Sequence, residues 1–141
     1  MDITINYLAV FACAVLSLVL GSIWYGPLFG KKWMQFYGPK DATPEQMKEM
    51  QKHMMPIYFI QFLIAFFQMN VLAWFVAVLT NVASGAHIAF GIAIGFVVTV
   101  IAGAALWVGD SYKVIREKVL IQSGYQIVFF VLAGYILSTW K

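Results

Sequence analysis

The side chains able to do acid–base, nucleophilic or metal chemistry are few in this sequence and stand apart from one another. Asp110 directly follows an apolar run, and with Tyr112 or Tyr125 it forms the one conceivable acid–base group. Beside it, Lys113 and Arg116 make an ion pair at a membrane interface the expected role, ahead of proton or ion exchange. His53 and His87 are isolated, and Cys13 is the single cysteine, inside an apolar run, so it reads as a small packing residue. Met47, Met50 and Met54 recur at i, i+3 and i+7, a spacing a soft metal would accept. With no cysteine or second methionine cluster near them, they read as the apolar face of an amphipathic helix. No nucleophile–base pair, metal-ligand cluster or phosphate-binding glycine loop is found. The expectation is a protein that is not an enzyme and has no metal. No cofactor is predicted, although an aromatic content of 17% would suit an apolar pocket for a quinone, haem or pigment.

The elements that carry these residues follow from composition. The chain has 141 residues, 62% of them hydrophobic and 11% charged, with a mean hydropathy of +0.83. Soluble domains carry about 25% charged residues. A chain this short cannot hide so much apolar surface in one water-facing core. Lipid is the expected solvent, and the fold class is an all-α integral membrane four-helix bundle forming a single domain. The net charge of +3 is spread over short connectors, which argues against a nucleic-acid partner.

Four apolar runs, about 3–25, 57–80, 87–109 and 119–139, are each long enough for a hydrocarbon core of about 30 Å. The first lacks a basic n-region and a small-residue cleavage site, so it reads as a permanent span, not a signal peptide. Small residues recur every four positions at Cys13, Ser17 and Gly21 on the first run and at Gly91, Gly95, Thr99 and Gly103 on the third. Gly134 with Ser138 adds a pair on the fourth. In lipid such stripes let helix backbones approach closely, either within one chain or between copies. Asn6, Gln61, Gln68 and Gln126 are polar residues at membrane depth and are the candidates for a polar path. The fourth run opens on a wider polar patch, Gln122 to Gln126.

Between the first two runs lies the one long polar segment. Thr43-Pro44-Glu45-Gln46 has the form of a capping box and predicts a short amphipathic surface helix over about 44–54. Lys31, Lys32, Lys40, Lys48 and Lys52 share a side with Lys113, Arg116 and Lys118, leaving Lys141 alone opposite. That asymmetry predicts an inner-membrane protein with both connectors in the cytoplasm and both termini outside.

Where the first run ends, Trp24, Tyr25, Pro27, Phe29, Gly30 and Trp33 form an aromatic motif expected to turn on Gly26, Pro27 and Gly30 at the interface. Here the chain resembles a bacterial domain-of-unknown-function family, the one numbered 1761. That family is similar in length, in its four predicted spans and in its Trp-Tyr-x-Pro turn. Its last span opens on Gly-Tyr-His, matched by Gly124-Tyr125 with Gln126 in third place. The resemblance implies the four-span fold and no particular activity. The expected function is a helix-packing homo-oligomer or an accessory subunit of a membrane complex. The alternative is a small channel or uncoupled transporter for a neutral solute, since no ionisable residue lies within a span to couple transport.

Overall fold

A computed structural model describes residues 3–140. Met1, Asp2 and Lys141, the expected basic end of the terminal anchor, lie outside the described residues. The order is α1 (Tyr7–Ile23), α2 (Gly30–Tyr37), α3 (Pro44–His53), α4 (Met55–Leu79), α5 (Gly85–Ile92), α6 (Thr99–Leu106) and α7 (Tyr112–Thr139), with no strand among the described residues. Two π-helical segments complete it: Trp24–Leu28 continues α1, and Ala93–Val98 joins α5 to α6. Four stretches are long and apolar enough to cross a membrane: Tyr7–Leu28, Met55–Leu79, Gly85–Leu106 and Tyr112–Thr139. The fold is an all-helical integral membrane bundle.

Local sequence sets most of the boundaries. Asn6, expected within the first span, precedes it as the N-cap, accepting from the amides of Leu8 at 3.0 Å and Ala9 at 3.2 Å. That satisfies two of the orphan donors every helix start carries. The capping box at Thr43 forms as expected. The Gln46 amide donates to the Thr43 hydroxyl at 3.3 Å, and the Thr43 amide to the Gln46 side chain at 3.0 Å. The charged segment 110–118 is not a loop throughout. Gly109, at φ +82, ends the third span's approach, and from Tyr112 onward the segment is the charged beginning of α7.

The fourth span is the centre of the bundle. α7 packs against α1, α4 and all three segments of the third span, while α1 also packs along α4. The core is built from Val10, Cys13, Met69, Leu72, Val76, Ala89, Ala93, Phe129 and Ala133, all essentially inaccessible. At one point α7 and α5 come into backbone contact. A side chain at Gly134 would collide with the Gly85 carbonyl, and one at Gly85 would collide with that of Gly134.

Candidate functional site at the aromatic turn

The first span does not turn at Gly26 and Pro27 as expected. Its helix widens to a π-turn, closed by the Phe29 amide donating to the Trp24 carbonyl at 2.9 Å, and carries Pro27 inside it. Proline has no N–H to give and crowds the carbonyl one turn back, so the wider turn accommodates it where a regular α-turn would not. The bend falls at Phe29 instead, and α2 starts at Gly30, where a Cβ would stand 2.9 Å from the Tyr25 carbonyl.

This π-turn projects two rings onto α7. The Trp24 indole N–H donates to the Ile121 carbonyl at 2.9 Å, and its ring lies over Gly124, where a Cβ would approach to 2.9 Å. The Tyr125 hydroxyl donates back to the Ser17 carbonyl of α1 at 2.8 Å. Its ring is 5.5 Å from that of Tyr25 and 6.4 Å from Trp24. The rings continue outward: Tyr25 to Trp33 at 4.6 Å, then Trp33 to Tyr37 at 4.6 Å, with Phe29 5.1 Å from Trp24. Two motifs about a hundred residues apart thus make one aromatic cluster across the α1–α7 contact.

Lys118 closes the cluster. Its ammonium is 2.6 Å from Asp110 and sits over the rings of Tyr37 at 4.6 Å and Phe36 at 5.6 Å. The expected pairing of Asp110 with Lys113 or Arg116 is therefore corrected. Those two point to water, where an ion pair is worth little, whereas Lys118 lies on the inward face of α7 with its side chain 10% exposed. A second pair, Lys32 to Glu117 at 3.0 Å, fastens α2 to α7. Chemically the cluster is a clamp: the Trp24 indole, the Tyr125 hydroxyl and the Lys118 ammonium each hold a partner on another segment, and no nucleophile–base pair stands among them.

Cys13, Ser17 and Gly21 face α7. The Cys13 thiol lies 4.0 Å from the Ala133 carbonyl, and a Cβ at Gly21 would stand in van der Waals contact with Tyr125. Gly134 meets Gly85 and Ala89. Gly91, Gly95 and Gly103 meet nothing within 4 Å of an added Cβ, and Thr99 is exposed, its hydroxyl donating to the Gly95 carbonyl at 2.9 Å. Of the polar-path residues, Asn6 lines a cavity of 370 Å³ between α1, α4 and α7 with Thr4, Thr80 and Ser138. Gln61, Gln68 and Gln126 line no part of it. His87 bonds Ser84 through Nδ1 at 2.6 Å, and no group of metal-ligating residues occurs among the described residues.

A family model described as a protein of unknown function, DUF1761, matches residues 8–138, nearly the whole chain. The chain belongs to the DUF1761 family. No curated protein and no solved structure matches it. In this DUF1761 chain three features escape sequence reasoning. One is α2 itself, whose signal was the spacing of Trp33, Phe36 and Tyr37 along a single face. Another is the seat those rings make for Lys118. The third is the stripe Gly85, Ala89, Ala93 that packs the third span on α7, written in alanines beside a more conspicuous row of glycines.

Proposed function

We propose that this protein is a non-catalytic packing protein of the inner membrane, working without a cofactor, as a homo-oligomer or as an accessory subunit of a membrane complex. Its basic connectors lie in the cytoplasm and both termini outside. The support is the third span. Its Gly91, Gly95 and Gly103 stripe has open space over it, and 11% of its apolar window is buried against 28–39% for the other spans. A face shaped for close backbone approach and left uncovered by its own chain suits another helix. Native mass spectrometry of the full chain from mild detergent is expected to release a defined multimer or a stable heteromeric complex. A monodisperse monomer with no co-purifying subunit would sink the reading.

The outer cavity favours a second reading, a passive route for a neutral solute. Beneath it Val10, Met69, Leu72 and Phe129 are fully packed, so the route needs those side chains to part. Flux above the empty-vesicle level in proteoliposomes is the required result, and its absence for each solute tried removes that solute.

A further inference from the structure

The helices separate at the end of the bundle opposite the basic connectors. α1 begins there, α4 and α7 end there, and the cavity of 370 Å³ lies between them. Side-chain volume accounts for it. Deeper down, the junction of the same three helices is filled by Val10, Met69, Leu72 and Phe129. At the cavity the facing residues include Ala9, Ala73 and Ala77, whose methyl groups are too short to close the gap. Ala9 and Ala73 are buried and form the floor with Val76, so the cavity ends blind on the packed core.

The rim is polar, and its hydrogen bonds can be counted. The Asn6 carboxamide oxygen is spent on the amides of Leu8 and Ala9, so this side chain has only its donors left. One N–H reaches the Trp140 carbonyl at 3.4 Å, tying the start of α1 to the end of α7, and the other has no partner among the described residues. Ser138 donates to the Tyr135 carbonyl at 3.0 Å and Thr80 to the Ala77 carbonyl at 3.4 Å, both back along their own helices. Their oxygens keep lone pairs for an incoming donor. Two acceptors and a donor at one rim suit a hydroxyl group, which both gives and accepts.

Charge and size narrow the ligand further. No ionisable side chain lines the cavity among the described residues. α4 and α7 both present their C-terminal ends to it, where the helix dipole repels an anion. An ammonium finds no carboxylate there, and setting it over an apolar floor costs more than the helix ends return. From Ala73 to Thr80 the α4 wall rises about 10 Å. The volume is at the small end of the range for ligand pockets, about 300–1,000 Å³.

We infer that this cavity binds a small uncharged alcohol of the size of octanol. Its hydrocarbon part lies on the alanine floor and its hydroxyl between Asn6, Thr80 and Ser138. The inference needs the pocket and not a route through the core beneath it, so a chain that passes no solute still binds. It is equally independent of oligomerisation.

The test is photo-labelling of the full chain in phosphatidylcholine nanodiscs by octanol carrying a diazirine on its alkyl chain. Saturable adducts are expected on residues 4–9, 73–80 and 137–140, competed by octanol and not by octanoate or octylamine at matched membrane occupancy. Ala77→Leu fills the space and should abolish the saturable labelling. Ser138→Ala removes one acceptor and should weaken it about two- to tenfold, the usual worth of a neutral hydrogen bond. Thermal unfolding checks the fold of both, and Ser138→Ala, which only takes away an atom, decides alone if Ala77→Leu does not assemble. Labelling that never saturates, that spreads evenly over the lipid-facing helices, or that persists in folded Ala77→Leu overturns the pocket. Unchanged labelling in Ser138→Ala overturns the hydroxyl's place at the rim, and equal competition by octanoate or octylamine overturns the uncharged end.

Discussion

Two stripes of small residues at the same four-residue spacing end in opposite situations. On the first span, Cys13 and Ser17 are buried and Gly21 lies against Tyr125, so that stripe is consumed by the α1–α7 contact. On the third span, Gly91, Gly95 and Gly103 have nothing of their own chain over them. Spacing specifies a groove on a helix; topology decides whether the groove is filled. α1 lies between α4 and α7 and has a neighbour on two sides, whereas most of the third span has only α7. The third span meets α7 through a different stripe, Gly85, Ala89 and Ala93, on the other side of the same helix.

The contrast is broken most severely at the filled contact. Gly134→Leu would drive a branched side chain into the Gly85 backbone, which has no flexible end to yield. Overpacking of this kind costs more than about 3 kcal/mol where backbone must move. The expected outcome is loss of the folded bundle, read as collapse of the unfolding transition in detergent or rapid proteolysis. Wild-type behaviour would mean that α5 and α7 are not in contact.

The aromatic clamp comes next. Trp24→Phe removes the bond to the Ile121 carbonyl and part of the ring over Gly124, and Tyr125→Phe removes the bond to the Ser17 carbonyl. Each should cost about 1–2 kcal/mol. The two residues share a contact, so the double variant should lose less or more than the sum of the singles by over about 0.5 kcal/mol. Strict additivity in the detergent unfolding cycle would say that the rings act separately.

How much of this was legible beforehand depends on whether the deciding interaction was local. Apolar run length gave the four spans, because the thickness of the hydrocarbon core leaves few alternatives. The capping box at Thr43 was readable because both partners lie within four residues. Pro27 runs against its local signal: a proline at the end of an apolar run normally closes a helix, and only the i+5 bond from Phe29 to Trp24 lets this one continue. For Asp110, proximity in sequence favours Lys113, whereas the partner it takes is Lys118, which rings from α2 cover. The glycine row on the third span stands out in the sequence, and the alanine-rich stripe that does the packing does not, since alanine is common on every face of a membrane helix.

A smaller effect is expected at the pair that closes the clamp. Asp110→Asn leaves the Lys118 ammonium inward without its counter-charge, whereas Lys118→Met lays an apolar chain of similar length against Phe36 and Tyr37 and leaves the partly exposed Asp110 carboxylate unpaired. The Asp110 side chain is 29% exposed, so water softens the loss to about 1–2 kcal/mol. Lys118→Met should cost less, about 1 kcal/mol or under, because the carboxylate it strands is the more exposed of the two charges. Unfolding in detergent distinguishes them, and a greater loss in Lys118→Met would mean that the charge itself anchors the helix.

The smallest change in stability is expected where the chain leaves its groove open, and there the two stripes separate most cleanly. An alanine methyl at Gly91 or Gly103 meets nothing within 4 Å, so Gly91→Ala and Gly103→Ala create no clash inside the chain. Alanine is favoured over glycine within a helix by roughly 0.5–1 kcal/mol, so the isolated chain should be unchanged or slightly stabilised. If another helix lies in the groove at backbone distance, the same methyl groups must push it away, and multimers seen by native mass spectrometry should weaken while unfolding does not. The control is Gly21→Ala on the filled stripe. Its methyl meets the Tyr125 hydroxyl at 3.7 Å and the ring at 3.8 Å, ordinary contacts, so neither measurement should move by much. An assembly indifferent to methyl groups at both Gly91 and Gly103 would place any partner on another face. A monomer destabilised by either would mean that the third span is packed by its own chain after all.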